Sequence, residues 1–211
     1  MASTKRDLLS HLTLTDYFDL TASAQPVPGG GSAAALSAAL SASLGQMVAN
    51  LTMGRKAYIH VEADMGLLKQ QLETLRDTFQ ADIDRDRAAY QQVLDAMRLP
   101  KDSPTRHGEI QKALTVAAQV PLEVAEHALE LITLLEKIVK KGNKNAVTDG
   151  MVAVLLARTA ALAALMNVQI NADAIQDRIC RDRLNTGVDG LRRKIIQKEA
   201  DLLRWYRSDF V

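Results

Sequence analysis

The most constraining feature of this 211-residue chain is a segment without any charged side chain, which runs from Leu20 to Gly54. Residues 26–32 read Pro-Val-Pro-Gly-Gly-Gly-Ser, and a run rich in Ala, Ser and Leu follows them. Three consecutive glycines are entropically costly inside a helix or a strand, so they predict a turn. The run behind them predicts a helix, whose free N–H groups at its start favour an anionic or carbonyl oxygen.

The uncharged segment is also long enough to cross a bilayer, which takes roughly 20 residues. Its many hydroxyl and amide side chains argue against this interpretation, because their insertion into lipid is unfavourable. These side chains are Ser32, Ser37, Ser41, Ser43, Gln46, Asn50 and Thr52. We therefore expect a helix buried inside a bundle, with small residues that let neighbouring helices approach closely, and no membrane partner.

Charge and composition exclude several classes of protein. The formal net charge of +1 argues against a nucleic-acid partner held by bulk electrostatics. The single Cys180 cannot form an internal disulfide, and the first residues show no apolar signal-peptide core, so we expect a cytoplasmic protein. The histidines show no metal-ligand spacing, so we expect no metal. Asp82, Asp84 and Asp86 alternate, and on a helix they fan around the axis rather than converge.

Apolar residues recur at helical spacing along almost the whole chain, and no stretch alternates as a strand would. The predicted helices cover about 4–21, 31–53, 59–98, 105–141, 145–171 and 174–208. Pro121 lies in the middle of the fourth, where it predicts a kink or two helices end to end. The pattern predicts one all-α domain over 1–211, an elongated up-and-down bundle with two buried, nearly uncharged helices. Because long apolar faces need cover, we expect a homodimer.

Polar residues interrupt the apolar pattern at the ends of the two nearly uncharged helices. Asn143 and Asn145 precede the second of these helices, and Asn167 and Asn171 lie near its end. A buried amide without a hydrogen bond costs about 1–3 kcal/mol, so these residues indicate a polar network or a polar ligand. Helix capping explains Asn143, Asn145 and Asp149 about as well as ligand binding does. Interhelical hydrogen bonds explain Asn167 and Asn171 about equally well.

Six segments, in this order, resemble the cyclodeaminase/cyclohydrolase family over roughly residues 8–208. They are Pro26-Val27-Pro28-Gly29-Gly30-Gly31-Ser32; Asn50-Leu51-Thr52-Met53-Gly54-Arg55-Lys56-Ala57-Tyr58; Asp84-Arg85-Asp86 with Ala89-Tyr90 and Arg98-Leu99-Pro100-Lys101; Val120-Pro121-Leu122; Gly142-Asn143 with Asn145 and Asp149; and Asn167-Val168 with Ile170-Asn171. The family includes bacterial methenyltetrahydrofolate cyclohydrolases and the cyclodeaminase domain of formiminotransferase-cyclodeaminase. Val27 stands where the family usually has Thr, so no ligand contact by that side chain is carried over.

The resemblance implies an all-helical, metal-free homodimer that acts on a one-carbon unit of tetrahydrofolate, with no cofactor beyond this substrate. A cyclohydrolase adds water to 5,10-methenyltetrahydrofolate and opens its ring to 10-formyltetrahydrofolate. A cyclodeaminase closes 5-formiminotetrahydrofolate to the methenyl form and releases ammonia. The absence of a second catalytic domain in the sequence and the segment 50–58 favour the cyclohydrolase. The cyclodeaminase is the alternative, and a non-catalytic folate-binding or scaffold bundle is a third possibility.

Both reactions need a proton acceptor and a proton donor near the bridging carbon. Asp149 is the predicted acid–base residue, because it lies at the edge of an apolar helix where burial favours a protonated carboxyl. Lys56 is the predicted proton donor or stabiliser of negative charge on oxygen.

The predicted substrate-binding residues hold different parts of the folate. The amides would contact the pterin, the glycine turn a carboxylate or carbonyl, and the cations the glutamate tail. They are Pro28, Gly29, Gly30, Gly31, Ser32, Asn50, Arg55, Lys101, Asn143, Asn145, Asn167 and Asn171. The glycine turn and residues 50–58 lie at opposite ends of a helix about 33 Å long. If both motifs act, a dimer must complete the site; otherwise one of them is structural.

Overall fold

In the computed structural model, which describes residues 8–210, the chain forms six α-helices. They are α1 (Leu14–Ala22), α2 (Gly30–Thr52), α3 (Glu62–Arg98), α4 (Arg106–Lys141), α5 (Val147–Asp173) and α6 (Arg178–Phe210). Short 3₁₀ turns span Leu9–His11, Lys56–Val61 and Lys144–Ala146. This range contains no strand, so the all-helical prediction is confirmed. The predicted start of the first helix, at residues 4–7, lies outside the described residues.

The signals that begin and end helices act as the sequence predicts. Thr13 caps α1, because its Oγ1 accepts a hydrogen bond from the Asp16 N–H at 3.1 Å. Beyond the end of α2, Gly54 has a φ of +72°, in the left-handed region that glycine adopts without a Cβ penalty. The chain can therefore turn sharply into the Lys56–Val61 segment.

The two nearly uncharged helices, α2 and α5, pack against each other in the centre of the bundle. Ser37 and Ser41 of α2 donate hydrogen bonds to the backbone carbonyls of Leu156 and Ala153 of α5, at 3.2 and 2.7 Å. Alanines fill most of the remaining contact, and many of them have no exposed surface. Small side chains allow this close approach.

By length and composition alone, two segments among residues 8–210 resemble membrane spans: Gly30–Thr52, and Lys144–Asp173, which includes all of α5. In the bundle, 61% and 50% of their most apolar windows are buried against other helices. A core helix of a bundle passes the same test of length and hydropathy, so the test gives only weak support to a membrane location.

α4 is one continuous helix through Pro121, so of the two predicted alternatives the one with two helices end to end is wrong, and the kink stays a prediction. Proline lacks an N–H, which leaves the carbonyl of Ala117, one turn earlier, without its helical donor. The side-chain amide of Asn171 on α5 donates a hydrogen bond to this carbonyl at 2.9 Å. A neighbouring helix thus replaces the bond that proline removes, and the helix continues.

Short connections make α2 to α6 run in alternating directions, which gives the bundle two ends. The Gly30 end holds the starts of α2, α4 and α6 and the last turns of α3 and α5. The Lys56 end holds the last turns of α2 and α4 and the starts of α3 and α5. α3, with 37 residues, is about 55 Å long, so the bundle is elongated.

Candidate functional site

A pocket of about 380 Å³ opens at the Gly30 end. The glycine turn, α3, α4 and α5 each contribute residues to it, and its polar residues are Asp86, Tyr90, Asn167 and Asn171. Val93, Met97 and Leu114 add apolar surface. A concave, mostly apolar pocket with a few polar groups is typical of a small-molecule site.

Asp86 of α3 lies against the start of α2. The Ser32 hydroxyl donates a hydrogen bond to Asp86 Oδ2 at 2.8 Å, and the Ser32 backbone N–H bonds to the same side chain. A Cβ atom at Gly31 would collide with the Asp86 carboxyl group, so this approach requires glycine. The sequence predicts a substrate carboxylate or carbonyl on these N–H groups. The structure corrects this for Ser32, because the protein's own carboxylate takes its N–H.

Burial raises the pKa of the Asp86 carboxyl group, and the two hydrogen bonds from Ser32 offset this only in part. A partly buried carboxylate with a raised pKa binds a proton more tightly than an ordinary aspartate does. Located in a pocket, it is suited to accept a proton from a bound molecule and to return it.

The sequence pattern predicts no catalytic role for Asp86, although the residue belongs to one of the family segments. The prediction that the alternating aspartates do not converge is confirmed: Asp82 pairs with Arg85 at 2.7 Å, and Asp84 accepts from the Leu9 N–H at 2.6 Å. The sequence feature that could have indicated a role for Asp86 is the start of α2, which has no acidic residue in its first turn and no side-chain cap. Such a helix start favours a carboxylate from elsewhere in the fold.

Asn167 and Asn171 line the same pocket, one turn apart on α5. Asn167 Nδ2 donates to the Ala163 carbonyl at 2.9 Å, and a Cβ atom at Gly30 would lie 3.4 Å from this nitrogen. Asn171 Nδ2 donates to the carbonyls of Ala117 and Asn167, both at 2.9 Å. The interhelical hydrogen bond is therefore observed for Asn171, while ligand binding by either amide stays a prediction.

Asn143 lies at the Lys56 end, in the loop between α4 and α5, and is 4% exposed. Its hydrogen bonds hold this loop in place. Its Nδ2 donates to the Leu51 carbonyl at 3.0 Å, and its Oδ1 accepts from the Asn145 N–H at 3.1 Å. Its backbone N–H donates to Thr52 Oγ1 at 2.9 Å. Both polar atoms of the side chain are bonded inside the protein, so the structure favours the capping interpretation over the predicted substrate contact.

The other predicted residues of the Lys56 end lie near the same loop. The Lys144 N–H donates to Tyr58 Oη at 3.0 Å, which ties the Lys56–Val61 turn to the start of α5. Asn50, Arg55, Lys56 and Asn145 are exposed, and Asp149 is partly exposed in the first turn of α5.

The predicted site residues therefore form two groups at opposite ends of the bundle, which the sequence analysis foresaw for the two ends of α2. Pro28 to Ser32, Lys101, Asn167 and Asn171 belong to the Gly30 end. Asn50, Arg55, Lys56, Asn143, Asn145 and Asp149 belong to the Lys56 end. One subunit cannot bring them together, because the ends of α2 are about 33 Å apart.

In residues 8–210, no three His, Cys, Asp or Glu side chains are grouped so that they would hold a metal ion. The expectation of a metal-free protein stays a prediction.

Known proteins of one family match this chain along most of its length. Residues 13–190 match the family described as formiminotransferase-cyclodeaminase. A methenyltetrahydrofolate cyclohydrolase of Methylorubrum extorquens is 39% identical over 183 residues, which are 85% of this chain and 88% of that relative. The formimidoyltransferase-cyclodeaminase of Sus scrofa is 33% identical over 80% of this chain, which corresponds to only 32% of that longer protein.

The fold also has a solved counterpart, the formiminotetrahydrofolate cyclodeaminase of Thermotoga maritima. The two structures superpose with a TM-score of 0.79 and 28% sequence identity, over 92% of this chain and 99% of the other. A family match over most of the chain and a shared fold agree with the segments noted in the sequence. The chain therefore belongs to the formiminotransferase-cyclodeaminase family.

Proposed function

We propose that this protein is a methenyltetrahydrofolate cyclohydrolase, which adds water to 5,10-methenyltetrahydrofolate and opens its ring to 10-formyltetrahydrofolate. The observation that carries the proposal is the 39% identity to a cyclohydrolase of Methylorubrum extorquens along 85% of this chain and 88% of that protein. The Asp86 pocket supports it, because the reaction needs a proton acceptor beside a small bound molecule.

In the proposed reaction, Asp86 moves the proton. Its ionised carboxylate accepts a proton from a water molecule as the water oxygen bonds to the bridging carbon. The resulting tetrahedral carbon carries a hydroxyl group between N5 and N10. As the bond from N5 to this carbon breaks, Asp86 returns its proton to N5 and the hydroxyl group loses its proton to solvent. The products are 10-formyltetrahydrofolate and one proton, so atoms and charge balance.

Formiminotetrahydrofolate cyclodeaminase is the second candidate. The structural similarity to the Thermotoga maritima cyclodeaminase, with a TM-score of 0.79, favours it. Both reactions pass through a tetrahedral carbon between N5 and N10, so one pocket with one proton-transfer group serves either.

Two assays separate these functions. The purified protein is given methenyltetrahydrofolate, whose near-ultraviolet absorbance is followed, and then 5-formiminotetrahydrofolate, with ammonia as the readout. A cyclohydrolase removes the absorbance, a cyclodeaminase releases ammonia, and binding without either change indicates a scaffold.

In whichever assay shows turnover, Asp86→Asn is expected to lower kcat by about 100-fold or more. Asp95→Asn, at an exposed position of the same helix, is the matched control and retains activity. Turnover by Asp86→Asn at the wild-type rate would contradict the role of this residue.

The proposed steps use protein groups and water alone. Turnover is therefore expected to survive dialysis against EDTA, and restoration of lost activity by an added divalent metal would contradict this scheme.

A homodimer is part of the proposal, and the exposed faces of α2 and α5 support it. Leu40, Met47 and Leu51 of α2 are 53%, 37% and 40% exposed, at helical spacing. On α5, Val152, Leu155, Met166 and Ile170 expose between 42% and 70% of their surface. We call these seven residues the α2/α5 face. Exposed apolar surface of this extent on two packed helices is typical of an interface.

A second copy packed on this face in the antiparallel sense would complete the site. A two-fold axis across the middle of the face would place the Lys56 end of one copy beside the Gly30 end of the other. Ile170 belongs to the α2/α5 face and also lines the Asp86 pocket, so the face extends to the pocket mouth. Lys56, Arg55 and Asp149 of the second copy would then act on the molecule held at Asp86.

Subunit complementation tests the composite site. Lys56→Met and Asp86→Asn are each expected to be inactive, and Asp149→Asn impaired, with the helical content of the wild type. When Lys56→Met and Asp86→Asn subunits are mixed, half of the sites in each heterodimer carry both intact residues, and activity reappears. If both residues acted within one subunit, every site would lack one of them and the mixture would stay inactive. Wild-type turnover in Lys56→Met and Asp149→Asn would remove the Lys56 end from the mechanism.

A further inference from the structure

Pro121 is buried in the middle of α4 and has no part in the proposed reaction, although it belongs to one of the family segments. Among residues 8–210, those that line the Asp86 pocket include Ala117, one turn earlier, but not Pro121. The Ala117 carbonyl, which proline leaves without a helical donor, accepts a hydrogen bond from the side chain of Asn171, a residue of the same pocket. The proline of one helix is therefore connected to a polar group of the site on another helix.

The side-chain amide of Asn171 is held in one orientation. Its Nδ2 donates to two carbonyl oxygens, those of Ala117 and Asn167, each at 2.9 Å. An amide NH2 group has two hydrogens, so both are used. Because carbonyl oxygens only accept hydrogen bonds, a rotated amide would place its own oxygen against two acceptors and leave them without this donor. The fixed amide cannot turn its NH2 group toward a bound molecule.

The polar atom that Asn171 leaves for a bound molecule is therefore its Oδ1. Among residues 8–210, no group donates a hydrogen bond to this oxygen, and it is not fully buried. Asn167 differs, because in the same part of the chain its Nδ2 donates to the Ala163 carbonyl alone and keeps one hydrogen free. At Asn171 the pocket offers an acceptor and no donor, so it favours a molecule with an N–H or O–H group at this point.

The neighbouring glycines indicate how a pterin would lie in the pocket. A Cβ atom at Gly31 would meet the Asp86 carboxyl group, and a Cβ atom at Gly30 would lie 3.4 Å from Asn167 Nδ2. Asp86 and the amides of α5 therefore lie on two sides of the glycine turn. With the carbon between N5 and N10 at Asp86, the opposite end of the ring system, which carries the 2-amino group, would face α5.

Resting on the proposed function, we propose that Asn171 Oδ1 accepts a hydrogen bond from the 2-amino group of the pterin, and that Pro121 is a positioning residue that keeps this oxygen in place. Proline does so by leaving the Ala117 carbonyl free to bind the amide NH2 group. Because the amide is fixed before the substrate arrives, little side-chain entropy is lost on binding. A ligand with a methyl group in place of the amino group leaves Oδ1 unpaired and binds more weakly.

The affinities of two folates test the hydrogen bond. Calorimetry measures the binding of 5-formyltetrahydrofolate and of its analogue with a methyl group in place of the 2-amino group. The wild type should bind the amino compound about 10-fold more tightly than the methyl compound. In Asn171→Ala, with the helical content of the wild type, this preference should disappear because no acceptor is left. A preference that is absent in the wild type, or unchanged in Asn171→Ala, overturns the hydrogen bond.

Pro121→Ala tests the positioning role. The backbone N–H of residue 121 then competes with Asn171 for the Ala117 carbonyl, so the preference for the amino compound should fall about threefold or more, while the melting temperature does not fall. A merely structural role of the proline would change stability and leave the preference as it is. Gly108→Ala is the matched control on the same helix, where the added methyl group meets no atom within 4 Å, and it should keep the full preference. An unchanged preference in Pro121→Ala, or the same loss in Gly108→Ala, overturns the positioning role.

NMR of ¹⁵N-labelled protein follows the two side-chain NH2 protons of Asn171 without any ligand, with Asn171→Ala for their assignment. In the wild type both should exchange with solvent more slowly than those of the exposed Asn50, and in Pro121→Ala one of them should exchange faster. Equal exchange in the two proteins contradicts the role of Pro121. If the wild type binds neither folate, the proposed function fails together with the 2-amino contact, while the exchange rates still decide whether Pro121 holds the amide.

Discussion

At the scale of single residues, the site depends on one missing side chain and one partly buried carboxylate. Gly31 leaves the space into which the Asp86 carboxyl group fits, and Ser32 supplies the hydrogen bonds that hold it there. The glycines are a visible motif in the sequence, but Asp86 lies 55 positions after Gly31 and on another helix. Only packing of α3 against α2 brings the two together, so the glycine motif was predictable and its partner was not.

Gly31→Ala tests this fit. The added methyl group is expected to displace the Asp86 carboxyl group, destabilise the fold by about 1–3 kcal/mol and remove most of the activity. Gly66→Ala is the control, since a Cβ at this position of α3 meets no atom within 4 Å. That change should stabilise the fold by roughly 0.5–1 kcal/mol. Urea unfolding and the folate assays measure both effects, and full activity in Gly31→Ala would contradict the proposed fit.

The raised pKa of Asp86 predicts the sign of a pH effect on stability. Because the folded protein binds this proton more tightly than the unfolded chain, the stabilising contribution is complete below the unfolded pKa of about 4. It is lost as the pH rises through the folded pKa. Asp86→Asn removes the ionisation, so its melting temperature relative to wild type should increase from pH 4 to pH 8.

Asp64 provides a control of opposite sign. Its hydrogen bond to Lys141, at 2.7 Å, lowers the pKa of Asp64. The stability that this pair contributes is present above the unfolded pKa and is lost as the pH falls through the folded pKa. Asp64→Asn should therefore be slightly less stable than wild type at pH 8 and equal to it at low pH. Thermal melts across this range measure both variants, and equal slopes for the two would contradict the assignment.

At the scale of elements, the helices follow from apolar periodicity, while their continuity depends on neighbours. The sequence placed α2 to α6 close to their observed bounds, because spacing, glycines and capping residues are local signals, while α1 begins at Leu14, well after the predicted start at residue 4. It did not decide whether α4 would break at Pro121. The side chain of Asn171 decides this, because it donates to the Ala117 carbonyl that proline leaves free.

A double-mutant cycle on Pro121 and Asn171 measures this compensation. In the wild type, Asn171→Ala should destabilise the fold by about 1–3 kcal/mol, because it leaves a buried carbonyl without a donor. In a Pro121→Ala background, the backbone N–H of residue 121 can bond to the Ala117 carbonyl. The same Asn171→Ala change should then cost clearly less. Additive effects in urea unfolding would show that the two residues are not coupled.

At the scale of the whole molecule, the two groups of candidate residues raise the question of assembly. Asp86 and the amides of α5 lie at one end, and Lys56 and Asp149 lie at the other. The α2/α5 face connects the two ends and carries exposed apolar residues along its length. An antiparallel homodimer would account for both observations.

Leu40→Glu tests the dimer. A charge in the middle of the α2/α5 face should give a folded monomer, because burying an unpaired carboxylate in an interface is unfavourable. Activity should fall together with the dimer if the site is composite. Ile179→Glu is the control: this residue of α6 is 83% exposed and lies outside the α2/α5 face. Sedimentation and the folate assays read out both variants. A wild type that sediments as a monomer would exclude the composite site.

The sequence by itself determined the helical class, the positions of α2 to α6, the nearly uncharged composition of α2 and α5, and the family. These follow from periodicity, composition and short segments, which are properties of neighbouring residues. The tertiary structure decided which polar residues meet: Asp86 with Gly31 and Ser32, Asn171 with the carbonyl freed by Pro121, and Asn143 with the end of α2. Such contacts depend on how the helices are rotated and packed against each other, and no local sequence pattern specifies this packing.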